Sequence, residues 1–117
     1  GEGVMLRPCH FEPTFQKHMN EVCGGVQLHV TDRDKFRSVR AAVALLSACR
    51  SAGGAPFSWR QPPYEYEKTL MPIDMLWGHD GLRTGIDAGA MPDEIFEGVE
   101  LELTEFGAEI EPDLLYE

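Results

Sequence analysis

Apolar and polar positions change their period along this 117-residue chain, and the changes mark out its elements. In VCGGVQLHVT the period is two. Val26, Leu28 and Val30 fall on one side of an extended chain and Gln27, His29 and Thr31 on the other, which is the pattern of a half-buried strand. Upstream, Val4 to His10 alternates less cleanly but reads as a short strand. EPTF after it reads as a turn, because Pro13 drives Glu12 out of the helical region. The Gly24-Gly25 pair predicts a bulge or a close backbone approach. The period then lengthens. Phe36, Val39, Val43, Leu46 and Cys49 recur at spacings of three and four, and AAVALLSA is a strong helix former. Asp32 or Asp34 is the expected cap of this long helix and Gly53-Gly54 its stop.

Beyond it, FSWR predicts a third short strand closed by Pro62-Pro63, and YEYE an edge strand with Tyr64 and Tyr66 on one face. MPIDMLWG predicts a short helix ended by Gly78. Asp80 is placed to cap the next helix, with Leu82 and Ile86 inward and Gly89 as its end. Pro92 suits a first helical turn, and Phe96, Val99, Leu103, Phe106 and Ile110 make an apolar stripe that Pro112 limits. The closing LLY is expected to add a short strand. Together these predict one α+β domain over residues 1–117. It has a small mixed sheet packed against several helices, a long helix after the second strand and an amphipathic C-terminal helix.

Charge adds an asymmetry. Residues 1–83 hold all 10 basic side chains and 9 of the 20 acidic ones; the remaining 11 acids lie from Asp87 onward without one Lys or Arg. A chain of net charge −10 is poorly suited to bind nucleic acid, since phosphate neutralisation needs a basic surface. The acidic end reads as a solvated helix face, or else as a docking face for a basic partner. No apolar run approaches the roughly 20 residues of a membrane-spanning helix. The first residues, GEGVMLRP, carry no apolar segment of the signal-peptide kind, and the chain does not open on Met, as expected of a processed protein or an excised domain.

Four kinds of chemistry are open to these residues. Cys9, His10, His18, Cys23 and His29 are all able to bind zinc, but their spacings match no zinc pattern, so neither metal nor cofactor is expected. Cys23 with His10 or His29 would make a thiolate nucleophile, yet Val22 beside it favours a packed thiol. At most one disulfide can form among Cys9, Cys23 and Cys49, with Cys9–Cys23 the natural pair; buried free thiols are the simpler expectation. Acidic residues are too many for a glycosidase pair to be chosen from sequence, and Asp74 and Asp80 are better explained as turn and cap residues. Trp59, Tyr64, Tyr66 and Trp77 stand in loops or short strands, where aromatics stack on sugars or bury in interfaces; for the two tryptophans, core packing is the default. No complete catalytic constellation emerges.

The order of motifs carries more information than any one of them. FEPTFQKH from Phe11 to His18, CGGVQLHVTDRDKFR from Cys23 to Arg37, AAVALLSACR, PIDMLWGHDGLR from Pro72 to Arg83 and the final LLY resemble the C-terminal region of the NamZ-type exo-β-N-acetylmuramidases, over nearly the whole chain. The sequence departs from that family at His18-Met19-Asn20, where a small or aromatic residue is usually followed by Ala-Gly. The resemblance implies a two-domain bacterial enzyme of cell-wall recycling that removes terminal N-acetylmuramic acid from peptidoglycan fragments and is plausibly exported. Its N-terminal Rossmann-like domain would carry the catalytic residues and be the partner of this accessory domain, with the cleft at their boundary. A muropeptide or other N-acetylmuramic acid glycan would be the ligand.

Among positions matching the family, Pro13, Thr14, Lys17, Cys23, Gly24, Gly25, Gln27 and His29, four are implied as substrate-binding. Thr14 and Lys17 would reach the cleft from a loop, Lys17 as a point charge for the lactyl carboxylate, while Gln27 and His29 would bond sugar hydroxyls. Each also has a structural explanation: Thr14 bonded to loop backbone, Lys17 solvated, His29 bonded to a neighbouring strand. The alternative to a cleft domain is a structural or protein-interaction module without substrate contact.

Overall fold

The computed structural model describes residues 2–52 and 57–115. It is α+β and divides into two compact units, Gly1–Ala41 and Ala42–Glu117.

The first unit is built on a hairpin of β1 (Val4–Phe11) and β2 (Cys23–Val30), paired antiparallel from Val4↔Val30 to Phe11↔Cys23. The sheet therefore has two antiparallel strands and is not mixed. Directly opposed residues of such a pair share a face. One face carries Val4, Leu6 and Pro8 against Val30, Leu28 and Val26; the other carries Met5, Arg7, Cys9 and Phe11 against His29, Gln27, Gly25 and Cys23. The period-two alternation of the second strand thus holds, but the expected burial is reversed: Val26, Leu28 and Val30 are exposed, and the half-buried positions are Cys23, Gly25 and His29 on the opposite face. The glycine pair makes no bulge, since Gly24 and Gly25 stay in register with His10 and Cys9. Close approach is the correct half of that expectation, because a Cβ on Gly25 would lie 2.7 Å from Cε1 of Phe11. At the open end, the Gly3 carbonyl accepts from the Thr31 and Asp32 N–H groups at 2.9 and 3.2 Å. Gly3 has φ 75, and a Cβ there would lie 2.5 Å from the Asp32 carbonyl oxygen, so glycine is required.

The long helix starts later than the aspartates suggest. Asp32 Oδ1 accepts from the N–H groups of Asp34 and Lys35 at 3.0 and 3.3 Å, closing a turn in which the Phe36 N–H also reaches the Asp32 carbonyl. Asp32 therefore caps a turn, and α1 (Ser38–Ser51) follows it. Val43 is 1% exposed, but Val39 and Cys49 of the predicted stripe are exposed. The expected Gly53-Gly54 stop lies outside the described residues.

In the second unit, α1 is followed by α2 (Pro72–Trp77), α3 (Gly81–Asp87), α4 (Pro92–Ile110) and a 3₁₀ turn, Glu111–Asp113. Val43, Leu82, Ile86 and Phe96 form its core, with Leu46, Trp59, Ile73, Trp77, Ile95 and Val99 against them. FSWR is not a strand. Its Trp59 indole N–H donates to both carboxylate oxygens of Asp87, at 3.0 and 3.1 Å, and Arg50 Nε reaches the same carboxylate at 3.3 Å. Side-chain anchoring there replaces a backbone ladder. YEYE is a two-residue hairpin turn, bridged between Tyr64 and Glu67, in place of an edge strand. Leu114 is not in a strand either, and Tyr116 lies outside the described residues.

Pro72 and Gly78 (φ 102) bound α2 as expected. Asp80 occupies the N-cap position of α3, but its side chain makes no cap; instead the Gly81 N–H donates to His79 Nδ1 at 2.9 Å. Glu94 closes the start of α4 by accepting from the Met91 N–H at 2.8 Å. Only the first half of the α4 stripe is covered: Phe96 is 6% exposed, whereas Leu103 and Phe106 are 62% and 56% exposed. Pro112 ends the α-helical ladder in the 3₁₀ turn.

Candidate functional site

The four residues implied as substrate contacts all lie on the hairpin unit, and the geometry separates them into two pairs. Thr14 and Lys17 belong to the exposed loop joining the strands. That loop is drawn together by the Asn20 N–H donating to the Pro13 carbonyl at 3.0 Å and by His18 Nδ1 against Glu21 Oε2 at 3.1 Å. Gln16, His18 and Asn20 take φ values of 61, 57 and 63. Three left-handed residues without a glycine among them store backbone strain, which clusters at ligand clamps and switch regions. Neither Thr14 nor Lys17 bonds another described residue, so both side chains stand free toward solvent.

Gln27 and His29 share the polar face of β2, about 7 Å apart at strand rise. Gln27 is exposed. His29 is half-buried, and its Nε2 is closed off from solvent without a hydrogen-bond partner among the described residues. A buried polar atom left unpaired costs on the order of 1–3 kcal/mol, so it calls for a partner that completes it. His29 is six residues from the loop end of β2, about 20 Å along the strand. Gln27 and His29 therefore lie along the strand, and Thr14 and Lys17 in the loop that precedes it.

Strand register adds a residue that the sequence reading missed. Arg7 stands opposite Gln27, placing a planar cation on the same polar face. The signal was present only as a pairing: β1 alternates weakly by itself, and Arg7 acquires its place when β2 is set against it. Cys9 and Cys23 share this face as half-buried free thiols, while Cys49 is free and exposed, contrary to its inward expectation. Among the described residues, no three His, Cys, Asp or Glu side chains converge as a metal site would require, and no helix is long and apolar enough to cross a membrane.

The helical unit holds a two-point ion pair. Arg83 Nε and Nη2 donate to Asp74 Oδ1 and Oδ2 at 2.9 and 2.7 Å. Donation from Arg83 holds the Asp74 carboxyl below its ordinary range and raises Arg83 in turn. This bond ties α2 to α3, which the turn reading of Asp74 did not foresee. Glu67 behaves similarly. Its Oε1 accepts from Thr69 Oγ1, Thr69 N–H and Leu70 N–H at 2.7, 2.7 and 3.1 Å. Those donors, Thr69 Oγ1 first, lower its pKa to about 2. A shallow hollow of about 100 Å³ lies between Trp77, His79, Gly98 and Glu102. No nucleophile with an adjacent base and orienting group is assembled among the described residues.

Comparison with known proteins agrees with the motif order. A family model described as "Exo-beta-N-acetylmuramidase NamZ, C-terminal" matches residues 1–116. The chain is 33% identical over 114 residues to the peptidoglycan beta-N-acetylmuramidase NamZ of Bacillus subtilis (strain 168). That alignment covers 97% of this chain and 26% of the relative, so the chain spans about a quarter of the relative's length. No solved structure matches it significantly.

Proposed function

The chain belongs to the NamZ C-terminal family, and from that membership we propose that it is the cleft-forming accessory domain of an exo-β-N-acetylmuramidase. The observation that carries the reading is the family match over residues 1–116, together with the likeness to a peptidoglycan beta-N-acetylmuramidase about four times as long. The remainder of such a parent chain, an N-terminal Rossmann-like domain, supplies the catalytic carboxylates and is the domain's partner. The ligand is a muropeptide or another glycan ending in N-acetylmuramic acid.

On this reading the hairpin unit faces an extended ligand. Lys17 and Thr14 take one end, and Gln27 and His29 the other. Arg7, opposite Gln27, is a second cation beside Lys17 for a carboxylate, since its guanidinium can bond both oxygens at once.

The test is hydrolysis of a chromogenic N-acetylmuramic acid glycoside by the full-length parent and by residues 1–117 alone. The parent is expected to be active and the isolated domain inactive. Turnover by the domain alone refutes an accessory role. Lys17→Ala and His29→Ala in the parent are each expected to lower kcat/KM roughly tenfold or more.

A second reading, an interaction module without substrate contact, is favoured by one feature. The second half of α4 exposes Leu103 and Phe106 among acidic neighbours. Wild-type kcat/KM in both parent variants selects that reading.

A further inference from the structure

Tyr66 is 99% exposed, the most exposed large hydrophobic side chain among the described residues. A phenol ring held wholly in water gains nothing for folding. The backbone beneath it is nevertheless tightly specified. Tyr64 and Glu67 exchange both backbone hydrogen bonds, N–H to carbonyl, at 2.9 and 3.1 Å, leaving Glu65 and Tyr66 as the two residues of the loop. Two-residue hairpin loops require positive φ at their first position, where glycine is comfortable. Glu65 accepts that strain at φ 51. Below the tip, the Glu67 carboxylate gathers the Thr69 and Leu70 donors, and its pKa near 2 keeps it ionised from mildly acidic to neutral pH. On the other strand of the turn, the Arg60 guanidinium lies 5.3 Å from the centre of the Tyr64 ring. The tip is thus a braced finger that presents one aromatic ring.

The neighbours of that ring decide what it suits. From Tyr64 to Thr69 the finger reads YEYEKT, with Glu65, Lys68 and Thr69 exposed around Tyr66. A protein-docking surface wants a contiguous apolar patch. A single ring with a polar tip, rimmed by carboxylate, ammonium and hydroxyl groups, instead suits a ligand with one apolar face and a polar edge. Pyranose rings have that form: axial C–H bonds present a flat apolar face, and hydroxyls surround it. Tyrosine also makes such a contact at low entropic cost, having only two side-chain torsions to fix.

We propose that Tyr66 is a saccharide-stacking residue, displayed on the Tyr64–Thr69 finger to hold a sugar ring of the glycan substrate. The proposal rests on the functional reading above. Because the finger is braced before binding, the ligand pays little to order it.

The experiment uses the full-length parent and a disaccharide ending in N-acetylmuramic acid, with Tyr66→Ala, Tyr66→Phe and Tyr66→Trp. Tyr66→Ala is expected to lower kcat/KM roughly ten- to a hundredfold, while Phe and Trp stay within about threefold of wild type because they keep the aromatic face. Thermal unfolding of all three should stay within about 2 °C of wild type, since the ring is exposed. Wild-type kcat/KM in Tyr66→Ala overturns the proposal. So does a large Tm drop in Tyr66→Ala, which would show the ring buried within the parent. A parent that releases no N-acetylmuramic acid refutes the functional reading instead. In that event, calorimetric titration of the same disaccharide decides about Tyr66: binding by the parent that Tyr66→Ala abolishes supports the contact, and equal or absent binding in both overturns it.

Discussion

Replacing Phe96 and Phe106 by alanine, one at a time, separates what periodicity implies from what packing provides. Both side chains sit on the same stripe of α4, and the sequence pattern treats them alike. In the structure Phe96 is 6% exposed, packed edge-to-face on Trp77 at 6.0 Å between ring centroids, whereas Phe106 is 56% exposed. Emptying a buried phenylalanine site costs about 3–5 kcal/mol, from lost transfer energy and the cavity left behind. Phe96 is one of four side chains in its core, alongside Val43, Leu82 and Ile86, so few neighbours can close the gap. Domains of this size have about 5–15 kcal/mol in total, and the loss corresponds to a Tm drop of roughly 10–25 °C. Phe106→Ala removes a mostly hydrated ring and should cost about 0.5 kcal/mol or less. Circular dichroism at 222 nm during heating and urea titration of residues 1–117 measures both. Equal destabilisation by the two variants would refute the reasoning, because it would require a covered second half of α4 in the isolated chain.

Three further outcomes follow from local geometry. Gly98→Ala should stabilise the chain by about 0.5–1 kcal/mol, seen as a higher urea midpoint, because Gly98 is within α4 and no atom lies within 4 Å of an added Cβ. Gly25→Val should loosen the hairpin through its clash with the Phe11 ring, 2.7 Å from the new Cβ, and Phe11→Ala should relieve it. A double-mutant cycle on hairpin amide exchange is expected to show coupling of at least about 0.5 kcal/mol, and additivity would refute the contact. Glu67 has a folded pKa of about 2 against an ordinary 4.5, so the folded state binds fewer protons between those values. Its contribution to the finger is therefore present above pH 4.5 and lost as pH falls toward 2. Thr69 amide shifts followed by NMR should titrate with a midpoint near pH 2 in wild type and lose the transition in Glu67→Gln.

Much of the fold is legible in the chain because local periodicity is set by backbone geometry alone. The strand with Gln27 and His29 on one face, the inward Leu82 and Ile86, and the proline-started helices α2 and α4 need no long-range information. Misreadings cluster where a side chain competes with the backbone for hydrogen bonds. Asp32 spends its carboxylate on a turn and so delays α1; Trp59 anchors to Asp87 in place of a ladder; YEYE folds back on itself once Glu67 collects the Thr69 and Leu70 donors. Of the implied contacts, the pairing of Gln27 with His29 was visible in the alternation. Arg7 was not, since its face depends on a register between residues twenty positions apart.

By itself the sequence determined which residues alternate, which helices begin at proline, the segregation of charge and, through the order of its motifs, the family. Those properties are carried by residue identity and spacing. Only the tertiary structure decided that half of the α4 stripe is covered, that Asp74 and Arg83 bind in a two-point pair, and that Arg7 stands opposite Gln27. It also raised Tyr66 on a finger into solvent. The reason is physical: burial, register and ion pairing depend on which distant segments meet, and spacing along one chain leaves those meetings open.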